Sequence, residues 1–213
     1  MVFSPEPTAA ITRWWHIRHA PVPNPKGHIY GQTDPLADTS NTPAFAALAR
    51  ALPADPVWVI STLQRTRQTA DSILSAQGRV EVPSSEPDLV EQCFGEWQGR
   101  SPQDAYAAQG GRHPFWLCPG VLRPPGGESF LELMGRVHPT LVRLSRQHAN
   151  RDVVAVTHGG VIRAAIALAL DLSAETALRF SIDNLSITRI DYIDTGNGVP
   201  LWRVIAINRP PAP

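Results

Sequence analysis

The chain has 213 residues, 43% of them hydrophobic and 18% charged, a length and composition that fit one domain with a substantial core. Nineteen basic residues balance nineteen acidic ones. This balance argues against nucleic acid or an anionic membrane as a partner and requires any anion site to be local.

In chain order, residues 1–11 carry two prolines and no periodicity and read as an N-terminal arm. They have neither a basic start nor an apolar run, so no secretory leader is expected. Residues 12–208 read as a single domain, and 209–213 as a C-terminal tail. Thr12 to Ile17 has strand character, followed by a loop with Pro21, Pro23, Pro25 and Gly27. Phe45 to Leu52 is helical, with Thr42 and Pro43 suited to the N-cap and first position. Val57 to Ile60 is a short buried strand, Leu63 to Ala76 a helix with Thr62 as its cap, and Val80 to Val82 a further short strand. Pro83 to Gly127 is polar and rich in proline and glycine, with one helix near Pro102 to Gln109. Phe130 to His148 is a long helix that Pro139 is expected to kink. Asp152 to Thr157 is a strand and Val161 to Leu170 a helix. The latter is too short, and too clearly interrupted by Arg163, to span a membrane. Ser186 to Tyr192 and Leu201 to Ile207 read as strands. Two cysteines, Cys93 and Cys118, make no disulfide framework and no CxxC pair. They suit reduced thiols in a cytoplasmic protein.

Apolar strands alternating with helices predict a mostly parallel sheet covered on both faces, the three-layer α/β/α class. Ligands of such sheets bind beyond the carboxyl ends of the strands. Three strands there share one layout: Trp14-Trp15-His16-Ile17-Arg18-His19, Val57-Trp58-Val59-Ile60-Ser61-Thr62-Leu63-Gln64-Arg65, and Val153-Val154-Ala155-Val156-Thr157-His158-Gly159-Gly160. If these strands are parallel neighbours, Arg18, His19, Arg65 and His158 meet at one rim. Four potential cations there need a counter-charge, and phosphate fits the planar arginine fork. The helix starts after Thr62 and Gly160 would add N–H groups and a positive dipole end, and Gly159 and Gly160 would admit a close backbone approach.

At these residues the chain resembles the histidine phosphatase superfamily, the phosphoglycerate mutase-like proteins. Arg18-His19-Ala20 is similar to the family's Arg-His-Gly signature, Ser61 through Ala70 to its second motif, and Leu89 through Gly99 to its acid-bearing motif. Gly126-Gly127-Glu128-Ser129 and His158-Gly159-Gly160 complete the order. The resemblance implies a phosphoglycerate mutase-like fold and phosphomonoester hydrolysis through phosphohistidine. His19 would be the nucleophile; Arg18, Arg65 and His158 would bind the phosphoryl group; Glu91 would be the proton donor and acceptor. It implies no cofactor and no metal, with a small phosphorylated metabolite as the ligand. Tyr30-Gly31-Gln32-Thr33-Asp34-Pro35-Leu36 resembles the α-ribazole phosphatase branch, and Gly31 and Gln32 would border the substrate. A phosphoglycerate mutase would use the same residues but carries a longer insertion than Pro83 to Gly127. A non-catalytic phospholigand-binding protein on the same fold is the remaining alternative. Nothing in the sequence sets the oligomeric state.

Each residue also has a plainer reading. His19 and His158 alone would be strand-end histidines, and Arg65 a helix-surface charge, as Arg67 is expected to be. His16 and His19 do not form a metal pair, because three residues apart on a strand they point to opposite faces. Glu86 and Glu96 compete with Glu91, which alone has the Glu-x-x-x-Gly-x-Trp spacing. Glu128 either caps the next helix or orients a site residue. Trp14, Trp15, Trp58 and Trp97 read as core, while Phe115 and Trp116 are candidates for contact with substrate. His28, His113, His138 and His148 read as surface or helix-side residues. Ala20 stands where the family has glycine, and is strained there if the position needs positive φ. The loop that follows departs in spacing from the family's, which leaves the reach of Asn24 open.

Overall fold

A computed structural model describes residues 9–24 and 26–211. Six strands form one sheet: β1 (Ala10–Arg18), β2 (Val57–Ile60), β3 (Ser84–Ser85), β4 (Asp152–Thr157), β5 (Ile187–Asp194) and β6 (Leu201–Arg209). Their spatial order is β3-β2-β4-β1-β5-β6. Pairings β3–β2, β2–β4 and β4–β1 are parallel, and β1–β5 and β5–β6 antiparallel, so only β5 runs against the rest.

Alternation along β4 shows how both faces are covered. Val153 and Ala155 join a core with Leu133 and Leu141 of α4 (Phe130–Gln147) and Ile162 and Ile166 of α5 (Gly159–Leu170). Val154 and Val156 join the opposite core, with Phe45 and Leu48 of α1 (Thr42–Ala51) and Ile73 and Leu74 of α2 (Gln64–Ala76). A run apolar at every position is what a strand buried on both faces requires. Trp14 is fully buried on the α4 side, where its Nε1 donates to Ser145 Oγ at 2.8 Å, so its one polar atom is satisfied. Two short helices, α3 (Pro102–Ala108) and α6 (Ala174–Ala177), and two 3₁₀ turns, Pro87–Leu89 and Gly95–Trp97, complete the element order.

Several local expectations are corrected. β1 begins at Ala10, inside the expected arm, and β6 reaches Arg209 of the expected tail; residues 1–8, 212 and 213, and Pro25 of the proline loop, lie outside the described residues. The N-cap of α1 is Asn41, whose side chain accepts from Ala44 N–H, one residue before the expected Thr42. Thr62 does not cap α2: the helix starts one residue later, and Asp34 Oδ1, from a distant loop, accepts from Gln64 N–H at 2.9 Å. Val80 to Val82 is not a strand, and Val80 and Val82 are 99% and 87% exposed; the short strand lies at Ser84–Ser85, where β2 offers a free edge. α4 holds Pro139 inside its span. Ser129 and Glu132 cap it with a reciprocal capping box, which leaves Glu128 free for another partner. Ala174–Ala177, started by Ser173, was not legible, as a four-residue helix is too short for periodicity.

Candidate active site

Register places the site. Arg18 at the end of β1 lies opposite Thr157 at the end of β4, and Ile60 at the end of β2 lies opposite Val156. The next residues, His19, His158 and Ser61, therefore emerge at one level on one rim. The His19 and His158 rings are 5.2 Å apart. Arg65 enters from the first turn of α2 and is fully buried.

Hydrogen bonds set the state of His19. Its Nδ1 lies 2.7 Å from the carbonyl oxygen of Ala20, which can only accept, so Nδ1 carries the proton and Nε2 keeps a free lone pair. Burial first, then the Arg65 and Arg18 guanidiniums, hold its pKa down to about 3. His158 is fully buried and also pushed well below the usual imidazole range, by burial and then by His19 and the arginines. The expected four cations are thus two arginines and two neutral imidazoles. Ser61 Oγ, 2.7 Å away, occupies His158 Nε2 and leaves Nδ1 without a partner among the described residues.

Both arginines are partly engaged. Arg65 Nη1 donates to Thr33 O at 2.8 Å and Nη2 to Gly31 O at 2.6 Å, with Tyr30 against the guanidinium at 5.1 Å. Its Nε is buried and unpartnered. Arg18 Nη1 donates to Ile182 O at 2.6 Å, and its Nε is likewise unpartnered. Three buried nitrogens at this rim lack acceptors: Arg18 Nε, Arg65 Nε and, when it carries the proton, His158 Nδ1. Unmet buried donors are costly unless an anion completes them.

Glu91 is the acid the fold brings here. Its carboxylate accepts from Gln92 N–H at 2.9 Å and from Gly160 N–H, in the first turn of α5, at 3.3 Å. Glu86 pairs instead with Arg143, and Glu96 is exposed. His158 is the N-cap residue of α5, which begins at Gly159 rather than after Gly160. With Gly160 N–H directed at Glu91 and Gln64 N–H at Asp34, two first-turn donors are already taken.

The loop around Glu91 is braced from outside. Arg136 pairs with Glu128 at 2.6 Å and also donates to Glu91 O at 3.1 Å; Glu128 accepts from Cys93 N–H at 3.0 Å. Glu128 is therefore a brace of the acid's loop, not a helix cap. Gln32 plays a related part: its Nε2 donates to Glu91 O at 2.8 Å, and its own N–H to Gln98 Oε1 at 2.8 Å. Gly31 has φ +44°, and a Cβ there would stand 2.5 Å from Gln98 Oε1 and 3.0 Å from Gln92 O, so the close approach requires glycine. Asn24 closes the proline loop on itself, bonding both N–H and C=O of His28. Ala20 is fully buried, its N–H donates to Thr69 Oγ1 at 2.8 Å, and its φ is not positive, so alanine is unstrained there.

A further arginine, read in the sequence only as an interruption of an apolar helix, lies close to these residues. Arg163 lies four residues beyond Gly159 on α5, on the same helix face. It is 8% exposed, its Nε donates to Phe180 O at 2.8 Å, and its guanidinium lies 4.4 Å from the Trp116 ring centre. Burial, partly offset by Glu91, lowers its pKa to about 10. That i, i+4 spacing from the His158-Gly159 motif was the available signal. A cavity of about 260 Å³ adjoins the rim, with Arg18, Tyr30, Gly31, Glu91, Phe94 and Trp116 among its walls. Phe115, the other aromatic candidate, is half-exposed and does not line it. A larger hollow of about 530 Å³ between α1 and α2 has no arginine or histidine in its walls.

Residues 14–205 match the sequence profile of the histidine phosphatase superfamily (branch 1). The chain belongs to that superfamily. A bifunctional protein of Mycobacterium tuberculosis is 30% identical over 138 residues, 65% of this chain but 37% of that protein, so the chain matches well under half of that relative's length. A glucosyl-3-phosphoglycerate phosphatase of Mycolicibacterium vanbaalenii is 30% identical over 175 residues, covering 78% of this chain and 77% of that one. The solved structure of an α-ribazole phosphatase from Shigella flexneri superposes with a TM-score of 0.76 at 25% identity, over 94% of this chain and 98% of that one. Among the described residues, no helix is long and apolar enough to cross a membrane.

Proposed function

We propose that this histidine phosphatase superfamily member hydrolyses a small phosphomonoester, without a metal, through a covalent phosphate on His19. The observation that carries the reading is the free Nε2 lone pair of His19 at a rim where Arg18, Arg65 and His158 each keep a buried, unpartnered nitrogen. In the first step Nε2 attacks phosphorus and the P–O bond to the alcohol breaks. Arg18, Arg65 and His158 bind the phosphoryl oxygens as charge spreads over them. Glu91, protonated, passes its proton to the leaving alkoxide. In the second step Glu91, now a carboxylate, takes a proton from water, which attacks phosphorus; the P–N bond breaks, inorganic phosphate leaves and His19 returns to its starting form. Gly31 borders the phosphate, Gly159 lets the α5 start approach it, and Gln32 fixes Glu91 through its carbonyl.

The leading substrate is α-ribazole 5′-phosphate. It is supported by the Tyr30 to Leu36 segment, by the likeness to the Shigella flexneri enzyme, and by the apolar cavity next to Glu91, which suits a flat base better than a sugar acid. The test is phosphate release across a metabolite panel that includes α-ribazole 5′-phosphate and 3-phosphoglycerate. His19→Ala should abolish turnover. Glu91→Gln should slow alkyl phosphates strongly and p-nitrophenyl phosphate much less, because a good leaving group needs no proton. Full activity in His19→Ala, or loss of wild-type activity with a chelator, overturns the mechanism. Phosphoglycerate interconversion without phosphate release replaces it with a mutase.

A further inference from the structure

The walls of the cavity beside Glu91 carry a feature that the phosphate chemistry does not use. Trp116 comes from the irregular segment between α3 and α4, which supplies no phosphate ligand. It is held from two sides. Its Nε1 donates to Gln92 Oε1 at 2.8 Å, and the Arg163 guanidinium lies 4.4 Å from its ring centre. Gln92 is fully buried and bonded on further sides: its Nε2 donates to Glu128 O at 2.9 Å, and its backbone N–H donates to the Glu91 carboxylate. Arg163 is anchored in turn through Nε to Phe180 O.

With its one polar atom bonded and a face against a cation, the indole turns only apolar carbon toward the cavity. Phe94, whose ring centre lies 6.1 Å from that of Trp116 at an angle of 46°, forms the adjoining wall, and Ile29 and Leu117 extend it. Arg18 and Glu91, which belong to the phosphate rim, also line the cavity, as do the polar residues Asn24, His28 and Tyr30. A volume of about 260 Å³ lies at the small end of ligand cavities and accommodates one ring system on a short linker.

We propose that Trp116 is a specificity-determining residue that selects phosphomonoesters whose leaving group carries a flat, apolar ring, with Gln92 and Arg163 as the positioning residues that hold the indole. The inference rests on the phosphate site proposed above. Because Gln92 bonds both Trp116 and the Glu91 carboxylate, the ring site and the proton donor share one support. A leaving group seated on Trp116 is thereby aligned with Glu91. A leaving group without a ring forgoes the contact with Trp116 and Phe94.

Binding of two non-hydrolysable probes tests this: naphthylmethylphosphonate, which carries a ring, and methylphosphonate, which does not. The wild type should bind the naphthyl compound at least about tenfold more tightly, the scale of one aromatic contact with its buried area. Trp116→Ala should bring that ratio close to one, while Trp116→Phe, which keeps a ring and the fold, should retain most of it. Arg163→Met and Gln92→Leu should lower the ratio through a weaker affinity for the naphthyl compound. Phe115→Ala, outside the cavity, should keep the wild-type ratio. A wild-type ratio near one with both probes bound overturns the ring site and leaves the phosphate site standing. A ratio that survives in Trp116→Ala also overturns it. Binding of neither probe overturns the phosphate-site reading and this one together.

Discussion

Replacing Gly160 with alanine should displace the Glu91 carboxylate, the proposed proton donor, while leaving the fold intact. Gly160 is the second residue of α5, and its N–H donates to Glu91 Oε2. A Cβ at this position would stand 2.3 Å from Glu91 Oε1 and 3.2 Å from Leu133 Cδ1. Leu133 gives way by a few tenths of an ångström. The carboxylate, at the end of a flexible side chain, must retreat by about 1 Å to reach ordinary contact. A displacement of that size at a reacting group costs about 10²-fold in rate. Stability moves the other way, because alanine is favoured over glycine inside a helix by about 1 kcal/mol. Steady-state kcat/KM with an alkyl phosphate and with p-nitrophenyl phosphate, alongside a thermal melt, reads both effects. The expected result is about 100-fold loss on the alkyl ester, a much smaller loss on the nitrophenyl ester, and a Tm at or slightly above wild type. Undiminished alkyl-phosphatase activity in a folded Gly160→Ala protein would refute the placement of Glu91 as the acid. Equal losses on both esters would assign the damage to the phosphate site instead.

Restoring the family's glycine with Ala20→Gly should cost about 1 kcal/mol in a urea titration with no gain in activity. Ala20 is fully buried without positive φ, so glycine adds only chain entropy and a small void; a stabilised variant would contradict this. Acid sensitivity should follow the buried histidines. His16 is stacked on Trp14 and held neutral by burial and then by Arg189, with its pKa lowered to about 3 from 6.5. A depressed histidine pKa means that the unfolded chain binds the proton first, so stability is full above pH 6.5 and falls as pH drops toward 3. Between pH 7 and pH 5, His16 alone accounts for a loss of about 2 kcal/mol. His16→Phe should shrink the pH 7-to-5 drop in unfolding free energy by that amount, and an unchanged drop would show that His16 does not titrate on unfolding. Arg136→Leu should unpair Glu128 and loosen the Glu91 carbonyl. It should lower kcat on alkyl phosphates more than on p-nitrophenyl phosphate, and equal effects on the two would reduce Arg136 to a structural role.

What the chain determined by itself was the local grammar of a doubly covered sheet and the residues at its strand ends. Unbroken apolar runs at Val57–Ile60 and Val153–Val156 demanded burial on both faces, and each run hands over to polar residues where a parallel sheet places its ligands. Arg18, His19, Arg65 and His158 were therefore legible, because each lies within a few residues of a strand whose end is visible in sequence. Features that depend on partners far along the chain were not legible. The start of α2 is satisfied by Asp34, thirty residues earlier, and no local pattern reports that. Val80 and Val82 have strand-forming side chains but meet no strand, whereas Ser84 and Ser85, poor strand formers, pair with β2 because its edge is there. Spacing favoured Glu91 over Glu86 and Glu96, and tertiary packing brought it to Gly160. Arg163 interrupted an apolar helix in the sequence; only the fold put Trp116 over its guanidinium and Phe180 O on its Nε. Strand-end chemistry is written in short segments, whereas the charge, tautomer and reach of each group are set by neighbours that only the folded chain assembles.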